Sequence, residues 1–355
     1  MTTLENVLAR YTRVGDLWEK LDERRIRCHA CGHECPVFEG QAGVCKVRRN
    51  QEGRLMVPWG YVSGAHCDPI EKKPFYHVAP GSSAFSFGML GCDLHCSYCQ
   101  NWITSQALRD PDAVAGAIRA TPEGLVRQAL EEGARFMVST YNEPLITVEW
   151  GVAIFQAARE VGMATGFVSN GNATKEVLEY LRPHLDLYKV DLKSFSDAQY
   201  RRLGGRLGPI LDSIQRIHNM GFWLEVVTLV VPGFNDSSSE LGQIAAFLCS
   251  VSPDIPWHVT AFHRDYRMTE AGDTPVRTLE RAVEIGRAAG LHYVYAGNAP
   301  GLVGECENTF CPNCGKRLVR RRGYHILENL VTAEGRCPKC QTSIAGRWKE
   351  PVVKT

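Results

Sequence analysis

From residue 84 onward, short apolar runs alternate with longer stretches in which apolar positions recur every three to four residues. The short runs predict strands at 84–89, 135–140, 165–169, 186–191, 223–231, 257–262 and 292–296. The periodic stretches predict helices near 121–133, 145–162, 174–182, 207–219, 239–250 and 277–289. Such alternation implies an α/β fold with a parallel sheet and helices outside it. Six or seven units suit a complete or partial β/α barrel. A doubly wound open sheet is the alternative, but no Gly-x-Gly-x-x-Gly follows the first strand to favour its dinucleotide-binding version. Ahead of this region, Leu4, Val7, Leu8, Tyr11, Val14 and Leu17 predict an amphipathic helix over 1–25. Residues 59–82, interrupted by Pro69, Pro74, Pro80 and Gly81, read as an irregular connection. The expected organisation is an N-terminal helix and Cys-rich module (1–58), a connecting segment (59–82), a partial (β/α)6-type barrel (83–303) and a C-terminal module (304–348).

Barrel chemistry gathers where strands end. That rule puts on one rim the loop Gly91–Asn101, then Asn142-Glu143-Pro144, Ser169-Asn170-Gly171-Asn172, Asp191 with Lys193, the Pro232–Asp236 turn, and His263. Singly, such residues are ordinarily a solvated lysine, a capping aspartate or a satisfied histidine. Six successive strand ends loaded in this way indicate a site.

Composition narrows the options. The 355 residues, 44% hydrophobic, can bury one large core. Forty Lys and Arg against 39 Asp and Glu give a net charge of +1, no bulk argument for nucleic acid or membrane partners. No apolar run approaches the ~20 residues of a spanning helix, and the charged N-terminus lacks a signal-peptide stretch. A soluble, cytoplasmic protein is expected. There, fourteen cysteines in clusters read as metal sites; a disulfide-linked secreted protein is the competing reading.

Cys92, Cys96 and Cys99 form Cys-x3-Cys-x2-Cys. Three thiolates in a tight loop suit three irons of a cubane and leave the fourth open to a small molecule. Zinc completed by His95 is the alternative. Cys311, Cys314, Cys337 and Cys340 form two Cys-x2-Cys knuckles, a zinc-ribbon pattern, with an auxiliary iron–sulfur cluster as the other option. Such a module has too little core to fold without metal. The basic run Lys316, Arg317, Arg320, Arg321 and Arg322 between the knuckles is either a phosphate-contacting face or a solvated hairpin. Cys28, Cys31, Cys35 and Cys45 form a third group, with His29 and His33 nearby, suited to zinc or an auxiliary cluster. Glu71, Lys72 and His77 are candidates for the open mouth of the barrel, against a packed linker.

The central motif, with Tyr98 just before its third cysteine, resembles that of the radical SAM superfamily. Asp68-Pro69-Ile70-Glu71-Lys72-Lys73-Pro74, Thr140-Tyr141-Asn142-Glu143-Pro144 and the terminal Cys-x2-Cys extend the resemblance along nearly the whole chain. They point to the activating-enzyme branch typified by pyruvate formate-lyase activating enzyme, and closer still to the radical SAM component of the AmmeMemoRadiSam system. The resemblance implies a 4Fe-4S cluster on Cys92, Cys96 and Cys99, and S-adenosylmethionine (SAM) as cofactor. Tyr98 would lie beside the adenine, and Asn142 and Glu143 would occupy the GGEP-type position that receives the methionine amino group. Two glycines of that motif are replaced here, by Tyr141 and Asn142. Lys193 would meet the methionine carboxylate, and Asp191 would hold a monovalent cation or a hydrogen-bond network. Ser169 and Asn170 would contact the ribose or methionine end, and His263 the adenosyl group. The implied activity is reductive SAM cleavage, with hydrogen abstraction from a glycyl radical enzyme or another peptide, protein or small molecule. A flavodoxin- or ferredoxin-like protein would donate the electron. The competing class is a zinc-ribbon nucleic-acid-binding or RNA-modifying protein.

Overall fold

Eight strands form the central sheet of the computed structural model, which describes residues 4–354. They are β1 (Gly64–Pro69), β2 (Ser83–Gly88), β3 (Phe136–Ser139), β4 (Ala164–Ser169), β5 (Leu187–Asp191), β6 (Trp223–Val230), β7 (Trp257–Ala261) and β8 (Val294–Gly297). Neighbours in the sheet follow chain order. β2 to β8 are parallel, and β1 is an antiparallel edge on β2. β1 and β8 do not pair, so the barrel stays open along one side. Parallel strands covered on both faces need continuous apolar runs, and all four residues of β3 and the first four of β5 are buried. Helices α1 (Pro122–Glu131), α2 (Val148–Glu160), α3 (Lys175–Leu181), α4 (Leu207–Asn219), α5 (Ser238–Val251) and α6 (Val276–Ala288) cover the outside. Thr121, Thr174 and Ser237 start three of them by accepting a backbone N–H from inside the first turn, each contact worth about 1 kcal/mol. The strands and helices predicted for this region are present within three residues at each end. No helix is long and apolar enough to cross a membrane among the described residues.

Two expectations fail. The predicted helix over 1–25 is a short helical turn, Leu4–Leu8, followed by strands Thr12–Val14 and Trp18–Lys20; Met1–Thr3 lie outside the described residues. Thr12–Val14 pairs with Pro58–Met56, and Gly15 donates its N–H to the Leu55 carbonyl. Sheet partners more than forty residues away overrode the local helical period. The supposed connection 59–82 likewise contributes β1, the edge of the barrel sheet. Its prolines fall at or beyond the end of β1, where no ladder bond is lost.

The N-terminal module packs against the rim through a buried pair. Arg48 grips Glu149 of α2 with bonds of 2.6 and 2.7 Å, and both side chains are essentially inaccessible. The C-terminal module, with strands β9 (Thr309–Phe310), β10 (Arg317–Arg322) and β11 (His325–Asn329), packs Leu318, Val319 and Ile344 against Tyr76, Tyr293 and Tyr295 beside the open side of the barrel.

Candidate active site

A cavity of about 390 Å³ opens at the C-terminal ends of the strands. Its wall takes Cys92, Cys96, Tyr98 and Cys99 from the loop after β2, Asn142 and Glu143 after β3, Ser169 and Asn170 at the end of β4, and Asp191 and Lys193 at the end of β5. One enclosure thus joins four of the six predicted strand-end stations; the Pro232–Asp236 turn and His263 lie outside its lining. His263 is exposed, bonds Gln100 at 2.8 Å, and lies outside the lining while Gln100 is part of it.

The cysteine loop is held from beneath. Gly91 has φ +96°, and a side chain there would press to 3.2 Å from the Cys45 carbonyl and 3.0 Å from Val47. Only glycine lets the chain turn this close to the N-terminal module. Asp93 is buried and accepts amide N–H bonds from Asn170 at 2.6 Å and Asn172 at 2.8 Å. His33 stands 3.7 Å from its other face, and the Gly32 N–H binds the Asn172 carbonyl at 2.8 Å. Asp93 therefore ties the cysteine loop to the loop after β4, on which the first cysteine group also rests. Burial pushes the Cys92 thiol well up and the Cys96 thiol up to about 12. Such sulfurs are neutral unless a multivalent cation draws off their protons. Three of them on one cavity wall, with no fourth cysteine on that wall, fit a cubane with an open iron.

Glu143 is the centre of the second group. Its Oε1 accepts from Ser169 Oγ at 2.7 Å and the Leu145 N–H at 3.1 Å, and its Oε2 from the Asn170 N–H at 2.8 Å. Burial, and then the charge of Asp93, still push its carboxyl up to about 8. A cation arriving in the cavity would restore its charge. Opposite lies a row set by strand alternation: Lys189, Asp191 and Lys193 share one face of β5 and its extension. Lys189 bonds Asp191, and Lys193 lies 3.5 Å from it. Burial alone would discharge Lys193, but the charge of Asp191 beside it keeps it firmly protonated. Tyr98 packs edge-on against Phe234 at 5.4 Å.

Asp93 and Lys189 were missed as site residues. Lys189 was detectable in Lys-x-Asp-x-Lys, where period two aligns all three side chains. Asp93 carried no local signal, because its partners lie 77 and 79 residues away. Glu71 and Lys72 line the cavity as expected, together with Lys73. His77 does not. It is fully buried between the Tyr295 hydroxyl at 2.5 Å and the Ala345 carbonyl at 2.6 Å, joining barrel to C-terminal module. Arg321 is also internal, its guanidinium 4.5 Å from the Tyr76 ring centre, so the basic run is not one exposed face.

The sulfurs of Cys311, Cys314, Cys337 and Cys340 all lie within 4.8 Å of one another, with contacts of 3.5 and 3.7 Å. Four sulfurs at ~2.3 Å from one tetrahedral ion stand about 3.8 Å apart, so this set is spaced for a single metal. Among the described residues, neither other cysteine group closes to that spacing. Cys28, Cys31 and Cys45 are buried, and Arg48 Nε lies 3.2 Å from Cys28 Sγ.

The Radical SAM superfamily model matches residues 88–247. A Methanocaldococcus jannaschii protein, MJ0808, is 36% identical over 330 residues, which are 92% of this chain and 97% of its own length. The pyruvate formate-lyase-activating enzyme of Staphylococcus aureus is 24% identical over 190 residues, 49% of this chain and 72% of that enzyme. Among solved structures, a radical SAM methyltransferase from Sphaerobacter thermophilus shares 18% identity with a TM-score of 0.46, over 62% of this chain and 68% of that one. The matched span contains the cysteine loop, Glu143 and the Lys189–Asp191–Lys193 row, and the chain belongs to the radical SAM superfamily, as a radical SAM enzyme similar to the pyruvate formate-lyase-activating branch.

Proposed function

We propose that this chain cleaves SAM reductively and abstracts hydrogen from a peptide, protein or small-molecule substrate, a glycyl radical enzyme being the partner that its activating-enzyme relatives bring to mind. The observation that carries this is the single cavity joining the thiols of Cys92, Cys96 and Cys99 to Glu143 and the row on β5. The three cysteines would hold a 4Fe-4S cluster. That group, with SAM bound to it, supplies a 5′-deoxyadenosyl radical once a flavodoxin- or ferredoxin-like donor delivers one electron. The protein's share is binding and orientation. Glu143 accepts the methionine ammonium while Ser169 and Asn170 hold its carboxylate in place. Lys193 offers its ammonium to the methionine carboxylate, with Asp191 keeping it charged. Tyr98 gives the adenine a flat apolar face, and Asn142 fixes the start of the β3 loop by accepting the Met89 N–H at 2.9 Å. His263 acts only if its exposed loop folds over the rim.

The ribbon cysteines are assigned zinc, which supplies cross-linking and no redox chemistry. Cys28, Cys31, Cys35 and Cys45 are assigned a metal of their own, in the module 1–58. The barrel spans 83–303 and the ribbon 304–348, with β1 added to the barrel. We place the protein in the cytoplasm, where its thiols stay reduced. The test is anaerobic: reconstituted protein with SAM and dithionite should form 5′-deoxyadenosine, and Cys96→Ala should form none. Equal yields from both would overturn the reading. Iron near four and zinc near one or two per chain would apportion the metal sites.

A further inference from the structure

The cavity continues past the SAM-facing residues to the open side of the barrel, where the segment after β1 and the tip of the C-terminal module close it. Glu71, Lys72, Lys73 and Tyr76 line this end, with Tyr141 above and Tyr324 from the β10–β11 turn. Its two lysines are already matched. Lys72 bonds Asp68 at 2.8 Å; Lys73 bonds Asp68 at 3.0 Å and the Tyr141 hydroxyl at 3.3 Å. Glu71 is different. It is fully buried, its Oε1 accepts the Gly81 N–H at 2.9 Å, and its Oε2 has no hydrogen-bond partner among the described residues. Arg321 does not supply one: its Nη atoms bind Thr309, Glu307 and the Tyr76 carbonyl, and its Nε makes no hydrogen bond among the described residues. A buried carboxylate oxygen left unpaired is costly, and in a cleft such groups mark function.

We infer that Glu71 is the anchor of a substrate subsite and receives a protonated amine or guanidinium from the molecule on which the radical acts. This rests on the function proposed above and names its substrate class. Ionised, Glu71 has nothing to donate, so it selects an N–H donor and repels carboxylates and phosphates. The Tyr324 ring adds a face that attracts a cation, while those of Tyr76 and Tyr141 already meet Arg321 and Lys73. Lys72 and Tyr324, 48% and 40% exposed, stand where the subsite meets solvent, so entry moves side-chain ends and not backbone. Anchoring at Glu71 holds the substrate by a group remote from the reacting carbon, which is how binding energy buys orientation.

The probes are n-butylamine and N-acetyl-lysine methylamide, with n-butanol and N-acetyl-norleucine methylamide as neutral matches. Binding to full-length reconstituted protein is read by ligand-observed NMR, which needs no radical chemistry. At least one cationic probe should bind with a Kd of about 1 mM or tighter, and its neutral match should not. Glu71→Gln should weaken that binding about tenfold or more, and Glu71→Asp should recover part of it, both with wild-type iron content and circular dichroism. Butylamine alone indicates a free amine as substrate, and the lysine derivative alone a peptide-borne one. No cationic probe binding, equal binding of the neutral matches, or full binding by Glu71→Gln overturns the inference. Amine binding without 5′-deoxyadenosine formation would sink only the proposed function, and the converse only this subsite.

Discussion

Asp93→Asn isolates what the cysteine loop owes to its one internal carboxylate. In the native chain each oxygen of Asp93 takes one amide N–H, from Asn170 at 2.6 Å and Asn172 at 2.8 Å. An asparagine keeps the shape but turns one acceptor into a donor, so one of the two amides would face another N–H. Hydrogen bonds to a charged group contribute about 1.5–3 kcal/mol, and neutral ones about 1 kcal/mol. Losing one and weakening the other costs about 2–4 kcal/mol. Burial, and then Asp93, raise the Glu143 carboxyl and the Cys92 thiol, which leaves both largely neutral in the apoprotein near pH 7, so removing the Asp93 charge returns little. The net is a loss of about 2–4 kcal/mol in folding. Asp93→Ala, which strands both amides, should lose about 1 kcal/mol more. The assay is paired: urea unfolding of the apoprotein, and the rate of 5′-deoxyadenosine formation at saturating SAM in the loaded one. Because the same contacts align the cysteine loop with the loop carrying Ser169 and Asn170, the rate should fall tenfold or more, as ~1.4 kcal/mol of misalignment would give. An unchanged urea midpoint together with an unchanged rate for Asp93→Asn would refute this reasoning.

Arg48→Met strips the buried Glu149 of its partner and should cost about 3–5 kcal/mol, while Arg48→Met with Glu149→Leu should recover most of that; urea unfolding of the four-member cycle measures the coupling, and a single mutant within ~0.5 kcal/mol of wild type would contradict it. Burial raises the Glu71 carboxyl from 4.5 to about 7, Arg321 opposing and Glu225 adding to the rise. The native chain therefore holds that proton longer than the unfolded one, and its contribution is complete below about 4.5 and lost as pH climbs through 7. The stability of Glu71→Gln relative to wild type should accordingly improve by about 3 kcal/mol between pH 5 and 8, and a difference flat with pH would show that Glu71 does not titrate this way. Cys337→Ser should release about one metal ion per chain and open residues 309–348 to protease; full zinc retention measured by atomic absorption would remove the single-ion assignment.

The alternation of apolar runs was enough to locate seven strands, six helices and the rim they share, because parallel strands and their covering helices each impose a local period on the chain. The same is true of the chemistry at strand ends: Cys92, Cys96, Cys99, Glu143, Asp191 and Lys193 fall where the barrel rule puts them, and the cavity contains all six. The segments at 1–25 and 59–82 were misread because their strands are defined by partners and not by their own pattern. Thr12–Val14 exists because Met56–Pro58 is beside it, and Gly64–Pro69 because β2 has a free edge. His77 and Arg321 seemed to belong to the mouth and to a basic face, yet packing between barrel and C-terminal module takes both inside. The roles of Asp93 and Glu71 are tertiary as well. A carboxylate's function depends on which donors meet it, and for one these arrive from 77 and 79 residues away, while for the other one oxygen has none among the described residues. Sequence by itself determined the periodic elements and the residues placed at their ends, since both are written in local spacing; only the folded chain decided which buried charges are paired, because pairing is a relation between segments that the spacing along one segment does not encode.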